Sequence, residues 1–189
     1  MKLKIYISVL LGFLLCQTAY SQNVALKTNL LGWVGVTPNL GIEVGIGGKS
    51  TFDVGYSINP FEFGEYKYWK HWKVVPEYRY WFCEKFHGHF LGIHAIGGEY
   101  NLSRVKLPFG IYKNTQEARY QGWGVGGGIS YGYQWLLSKH WSFEATVGVG
   151  YIYSEYDIYP CASCGNKLDS GSKHYFGPTK AALNLIYVF

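Results

Sequence analysis

The strongest alternation of large and small residues in the chain runs from Gln121 to Trp135. Odd-numbered positions carry bulky side chains, interrupted only at Gly127, whereas even-numbered positions are mostly glycine. A repeat of two places successive side chains on opposite faces of a strand. In a β-sandwich the small face would meet water and should be polar, whereas in a narrow barrel it points inward, where space is limited. The segment therefore predicts a strand of a small barrel.

Seven further segments extend the prediction to eight strands. Most place apolar side chains on one face and small or polar ones on the other, although the facing of His89 to Leu102 is ambiguous. Outer-membrane barrels made from one bacterial chain have an even number of antiparallel strands. The predicted fold class is all-β, an eight-stranded antiparallel up-and-down transmembrane β-barrel. The predicted strands cover residues 24–31, 40–46, 52–59, 72–82, 89–102, 121–135, 141–154 and 180–189.

The predicted connections alternate in length. The short turns are 47–50, 83–88 and 136–140, and the longer links are Pro60–Lys70, Asn101–Arg119 and Ser154–His174. Outer-membrane barrels have short periplasmic turns and longer extracellular loops. With a periplasmic N-terminus, every longer link falls outside, and only the first outer link, Thr37–Asn39, is short. We therefore expect an outer-membrane protein with both termini in the periplasm.

The N-terminus reads as a secretory signal peptide over residues 1–21. Lys2 and Lys4 precede an apolar run, and Ala19 and Ser21 supply the small residues of a cleavage site. The predicted barrel then occupies residues 22–189, where no apolar stretch is long enough for a membrane helix. Aromatic residues make up 19% and charged residues 15% of the chain. This composition excludes a disordered chain, a coiled coil and a basic nucleic-acid-binding tail.

Charged residues on the inward faces of the predicted strands form the first candidate site. Buried charges pair because an unpaired one costs several kcal/mol, and an eight-stranded barrel is just wide enough for side chains to fill. The pattern predicts a charged plug of the lumen; a selective pore or a proton path is the alternative. The predicted lumen charge network comprises Lys27, Glu43, Asp53, Lys73, Glu77, Arg79, Glu144 and Lys180.

Three cysteines follow the predicted signal peptide. Cys161 and Cys164 form a CxxC pair in the last outer link, and an oxidising compartment favours a disulfide between them. Cys83 lies at the opposite rim, a membrane thickness away. A zinc site formed by the CxxC pair with His174 or Asp169 is an alternative, although a lone CxxC supplies only half of the ligands. A second set of possible ligands is Cys83, Glu84, His87 and His89.

Aromatic residues suggest where the predicted barrel meets its surroundings. Trp33, Trp72, Trp81, Trp135 and Trp141 lie near predicted strand ends, where rings form girdles against outer-membrane lipid. The terminal Phe189 closes an alternating apolar run and resembles the signal read by the outer-membrane barrel assembly machinery. Amphipathic rings in the outer links are candidate contacts for a protein partner. These outer-loop contacts are Tyr66, Tyr68, Trp69, Tyr156 and Tyr159.

An enzymatic function is an alternative hypothesis, because some eight-stranded barrels modify lipids. Asp169, Ser170, Ser172 and His174 stand close together in the sequence. Loops are rich in Ser and Asp for reasons of turn formation, and closeness in sequence does not provide the geometry of a catalytic triad. We therefore predict no catalytic residues, no metal, no cofactor and no nucleic-acid partner, with a narrow channel and a lipid-active enzyme as alternative functions.

Several short motifs resemble those of a known family. They are Asn23–Leu31, Thr37–Glu43, Lys70–Trp72, Pro76–Cys83 and Gly88–Gly92. Together they resemble small outer-membrane barrel proteins of Bacteroidetes grouped as domain of unknown function 3575, over essentially the whole mature chain. The resemblance implies an exported barrel, often encoded beside fimbrial or other cell-surface genes, with no assigned catalytic residues. We expect a non-enzymatic surface-interaction protein or accessory subunit, associated with fimbrial or larger envelope assemblies.

Overall fold

A computed structural model of the chain describes residues 23–61, 68–103, 118–160 and 166–189. They form eight antiparallel strands and one short helix. The strands make one up-and-down sheet that closes into a barrel, which confirms the predicted strand number and order. The strands are β1 (Val24–Asn29), β2 (Asn39–Gly45), β3 (Ser50–Asn59), β4 (Tyr68–Trp81), β5 (Gly88–Ser103), β6 (Arg119–Leu136), β7 (Trp141–Tyr159) and β8 (Asp169–Val188), and the helix is α1 (Leu30–Val34).

The wall of the barrel is uneven in height. Each strand pairs with the next, and β1 closes the ring against β8, with Ala25 opposite Val188 and Asn29 opposite Asn184. Strands β1 to β3 contain 6 to 10 residues, whereas β4 to β8 contain 14 to 20. Strand β8 therefore continues to Asp169, far past the end of β1.

The two ends of the barrel differ. The end that carries residues 46–49, 82–87 and 137–140 together with Val24 and Val188 is called the turn end, and the opposite end is the loop end. Two predictions at the loop end are wrong. The first predicted strand stops at Asn29, because the Asn29 side chain accepts a hydrogen bond from the Leu31 backbone (3.1 Å) and caps α1.

The second error concerns the predicted link Ser154–His174. Strand β7 continues to Tyr159 and β8 begins at Asp169, so most of this segment is an extension of the barrel wall. Cross-strand neighbours such as Ser154 and Lys173 keep the ladder continuous there. Polar alternation at a barrel mouth resembles loop composition, which is why the sequence pattern ended the strands early.

The inward face of β6 carries the glycines, as the alternation predicted, and the strands here approach closely. An added Cβ at Gly126 would lie 2.3 Å from the Tyr151 carbonyl oxygen, whereas at Gly124 the nearest atom, the Tyr153 carbonyl oxygen, is 3.4 Å away. We expect Gly126→Ala to lower the free energy of unfolding by about 1–3 kcal/mol through overpacking against backbone. Gly124→Ala, two residues along the same face, should be close to neutral. Urea titrations followed by tryptophan fluorescence would compare them, and equal losses would contradict this account.

A β-bulge interrupts the ladder between β7 and β8. Gly148 pairs with Lys180 and Val149 with Pro178, which leaves Thr179 as the extra residue. Because of the bulge, the side chains of the successive residues Thr179 and Lys180 both point into the lumen. The Thr179 hydroxyl lies 2.9 Å from Nε2 of His94, which fixes the inward facing of that part of β5.

The outer surface is covered by exposed apolar side chains. Ile129 and Val147 are 61% and 64% exposed. Glu99 and Glu155 lie at one level of the outward face, near the loop end. From that level down to the turn end, the outward face of the described strands carries no Asp, Glu, Lys or Arg. Trp33, Trp72, Trp135 and Trp141 are exposed near the strand ends. The placement of Trp81 in an outer girdle is wrong, because it is fully buried in the lumen.

Among the described residues, no helix is both long and apolar enough to span a membrane.

Candidate functional site

Apolar side chains close the lumen at the turn end. Ala25, Ile186 and Val188 pack with Phe86 in one buried cluster. Phe86 lies in the turn between β4 and β5 with a positive φ of 63°, and its ring folds inward to a centroid distance of 6.2 Å from Trp81. The sequence pattern predicts only a turn over residues 83–88 and does not indicate that Phe86 closes the barrel.

Arg79 stands at the centre of the lumen, fully buried. Its Nε donates to Glu77 Oε2 at 2.6 Å. Its Nη1 donates to Glu144 Oε2 at 2.8 Å and to Glu43 Oε2 at 3.1 Å. Its Nη2 donates to Asp53 Oδ2 at 3.3 Å. One guanidinium thus joins carboxylates from four strands, a use of its fixed donor geometry that lysine cannot reproduce.

Two lysines complete the charge pairing. Lys27 contacts Glu43, donates to Glu144 Oε2 at 3.0 Å, and lies 3.8 Å from Asp53. Lys180, placed inward by the bulge, donates to Glu77 Oε2 at 2.6 Å. The structure therefore brings together seven of the eight predicted network residues, called the lumen cluster below: Lys27, Glu43, Asp53, Glu77, Arg79, Glu144 and Lys180.

Hydroxyl and amide groups donate to the remaining carboxylate oxygens of Glu43, Glu77 and Glu144, whereas Asp53 Oδ1 accepts no hydrogen bond within the described part of the chain. Thr51 donates to Glu43, Ser130 to Glu77, and both Thr146 (2.8 Å) and Asn184 (2.7 Å) to Glu144 Oε1. An added Cβ at Gly92 would lie 2.5 Å from the Ser130 hydroxyl and 2.7 Å from Glu77 Oε1, so a larger residue here would displace the bond between these two groups. Nearby cations and hydroxyl or amide donors are what allow four buried acids to share one lumen. Sequence reasoning found the charges but not these partners, which alternation alone does not distinguish from other inward residues.

Aromatic rings cover the lumen cluster on its turn-end side. The Arg79 guanidinium lies 4.5 Å from the centroid of the Phe90 ring, a cation–π arrangement. Phe90 packs against Trp81 at a centroid distance of 4.8 Å, and the Trp81 indole donates to Thr51 at 2.9 Å. Charges and rings together fill the turn-side half of the lumen.

Lys73, the eighth predicted network residue, lies apart from the cluster. In register it stands opposite Ser57 and Gly98, closer to the loop end. Within the described part of the chain it makes no ion pair or hydrogen bond, and its side chain is exposed within the lumen. Three cations therefore pair with four acids in the cluster, and Lys73 is left facing open space.

Four of the five predicted outer-loop contacts lie on β4 and β7, near the mouth of the barrel. Trp69 packs edge-on against His71, Tyr156 packs inside against Tyr120 at 5.6 Å between ring centroids, and Tyr159 is covered by the Arg119 guanidinium at 4.6 Å. Tyr66 lies outside the described residues, and Tyr68 begins β4.

Near the mouth, Lys167 and Asp157 form an exposed ion pair at 2.5 Å. The hydrogen bond from Lys167 to the Asp157 carboxylate raises the pKa of the lysine. Exposed pairs of this kind contribute little to stability. The pair joins the ends of β7 and the segment before β8 at the rim of the barrel.

The alternative chemical sites are not assembled in the described residues. Ser172 and His174 face outward on β8, where His174 contacts the Tyr151 hydroxyl. Asp169 is an odd number of residues away from both, so its side chain lies on the other face of the strand, and its carboxylate accepts a hydrogen bond from the Ser170 backbone. Cys161 and Cys164 lie outside the described residues. Cys83 is a free, exposed thiol at the turn end. In the parts of the chain that are described, no group of three or more His, Cys, Asp or Glu side chains could hold a metal ion.

Comparison with models of protein families places the chain in a known family. The model of a family described as "Protein of unknown function (DUF3575)" matches residues 7–189. No curated protein and no solved structure matches the chain.

Proposed function

The chain belongs to the DUF3575 family, and from its geometry we propose that it is a closed outer-membrane β-barrel that acts through its loop end as a non-enzymatic surface-interaction or accessory protein. A signal peptide over residues 1–21 directs its export. Both termini lie in the periplasm, and Phe189 is read by the barrel assembly machinery. The partner is a protein of a larger envelope assembly, such as a fimbria.

The apolar outer surface is the observation that carries this proposal. The outward side chains of all eight strands would be energetically unfavourable in water over an area far larger than the few hundred Å² usual for a soluble monomer. On β6, Trp123 and Trp135 lie twelve residues apart on this face. At about 3.3 Å per residue and a tilt near 40°, they span roughly 30 Å, close to the height of a bilayer's apolar layer.

The filled lumen supports a barrel that does not conduct. The apolar cap around Phe86 and the ion pairs around Arg79 occupy successive layers of the turn-side half. An eight-stranded barrel leaves no room for an aqueous path beside such side chains. The channel alternative has no comparable observation in its favour. The remaining surface for a function is the higher wall and mouth at the loop end.

Orientation and partnership can be tested together with an impermeant, cleavable thiol cross-linker on intact cells. We expect a chain with Ser170→Cys, in a background where Cys161 and Cys164 are replaced by serine, to be labelled and to form a discrete adduct with a second envelope protein. Ser170 is exposed at the loop end of β8. The native Cys83, exposed at the turn end, should react only after the outer membrane is permeabilised.

The parent chain without Ser170→Cys is the control for Cys83 alone. Labelling of Cys83 on intact cells would show that the turn end faces outward, which is opposite to the proposed orientation, and would contradict the proposal. Labelling at position 170 without any adduct would retain the orientation and contradict the accessory role at the loop end.

A further inference from the structure

A cavity of about 390 Å³ lies in the loop-side half of the lumen, beyond the lumen cluster. Strands β4 to β8 supply its walls. Its apolar and aromatic lining includes Ile96, Tyr100, Ile152 and Tyr175. Its volume falls within the range of small-molecule sites, and barrels of eight strands can hold one small ligand. The cavity is separate from the charged layer that closes the barrel.

Lys73 places a positive charge at this cavity that no acid pairs with in the described part of the chain. Lys73 and Lys173 face it from opposite strands. The acidic residue at its edge, Glu99, accepts a hydrogen bond from the Trp72 indole at 3.1 Å on the outward face of the wall. Lys73 also lines a smaller neighbouring cavity of about 100 Å³, together with Lys27, Lys180 and the acid Asp53 of the lumen cluster. Because Lys73 has no ionic partner in the described structure, an anion bound here would supply one.

We propose that the loop-side cavity binds a single-chain amphipathic anion. The apolar chain lies between Ile96 and Ile152, and the carboxylate or phosphate head group accepts hydrogen bonds from Lys73. An apolar lining with a few fixed polar groups is the usual construction of such sites. This inference rests on the proposed function only for the source of the ligand, which the surrounding membrane would supply.

The low side of the barrel offers a route from that membrane. Strand β8 runs past the end of β1, and α1 follows β1 at this point. Phe176 on this part of β8 is 81% exposed, and Val34 on α1 is 84% exposed. Large apolar side chains beside a lower wall are suited to contact acyl chains on their way to the cavity.

Competition binding tests the proposal on the full mature chain in phosphatidylcholine nanodiscs. Dansyl-undecanoate serves as the fluorescent probe, and the competitors share a twelve-carbon chain: laurate, dodecyl phosphate, dodecyltrimethylammonium and dodecanol. We expect laurate or dodecyl phosphate to displace the probe at concentrations at least about tenfold lower than the cationic and neutral competitors, as one charge-assisted contact predicts. The tighter of the two anions identifies the head group as carboxylate or phosphate.

Two variants and one control make the result specific. Lys73→Gln should weaken probe binding about tenfold through loss of the charged contact. Gly124→Leu should abolish binding by filling the cavity, because a Cβ at this position meets no atom closer than 3.4 Å. Lys49→Gln removes a lysine that bonds Phe82 at the turn end and should leave binding unchanged.

Equal displacement by the cationic competitor, or unchanged binding by Lys73→Gln, would overturn the anion site. Unfolding of each variant in the same nanodiscs is measured alongside, so that a misfolded variant is recognised and replaced by Lys73→Met. If the binding experiment contradicts the anion site, the cell-surface cross-linking experiment still tests the proposed function. If only the cross-linking experiment fails, the binding result still supports the anion site.

Discussion

Arg79→Met should lower the free energy of unfolding by about 3–5 kcal/mol, the cost typical of breaking a buried ion pair from one side. The substitution keeps most of the apolar volume but leaves Glu43, Glu77 and Glu144, all fully buried, without their shared guanidinium. Lys27 and Lys180 cannot replace it, because each already contacts its own carboxylate. Urea titration of the barrel refolded into lipid vesicles, followed by tryptophan fluorescence, measures the change.

A second substitution separates the charge effect from loss of packing. Adding Glu144→Gln to Arg79→Met removes one of the unpaired acids and should recover part of the loss. Arg119→Met is the matched control, since Arg119 lies at the mouth, outside the lumen cluster, where it covers the Tyr159 ring and donates to Gln121. We expect a loss near or below about 1 kcal/mol there. Similar losses for Arg79→Met and Arg119→Met would contradict a central role for the lumen cluster.

Ile129→Arg should cost about 2–4 kcal/mol if the outer surface faces lipid, which is the effect of arginine at the midplane of a membrane barrel. Ile129 lies on β6 midway between Trp123 and Trp135, and its side chain points outward. In a water-soluble barrel the same substitution would stay within about 0.5 kcal/mol. The measurement is again urea unfolding in vesicles.

Leu137→Arg provides a control of nearly identical exposure. Leu137 is 62% exposed and Ile129 is 61% exposed. Leu137, however, lies in the turn between β6 and β7, outside the apolar band of outward side chains between the levels of Trp123 and Trp135. We expect its substitution to cost no more than about 1 kcal/mol, as for positions near the interface. Equal effects of the two substitutions would argue against a membrane around the band.

Several features of the chain follow from its sequence with little tertiary information. A period of two decides which face of a strand each residue occupies, so the inward glycines of β6 and the inward charges Glu77 and Arg79 could be predicted. For the segment His89 to Leu102, only the structure shows which face points inward, because small residues such as Gly97 and Gly98 occur on both of its faces. The predicted strands at the loop end stopped short for a related reason, since the polar composition of the mouth is the same in strand and loop.

The sequence by itself determined the eight strands, their antiparallel order and the face on which each charge lies, because these depend on local alternation and on the length of connections. Only the tertiary structure decided the height of each side chain along the barrel axis, which the register between strands sets. That is why Lys73 shares a face with Arg79 yet stands outside the cluster, and why the bulge at Thr179 brings Lys180 to Glu77. The closure of the turn end by Phe86 likewise depends on a turn that folds back under strands distant in sequence.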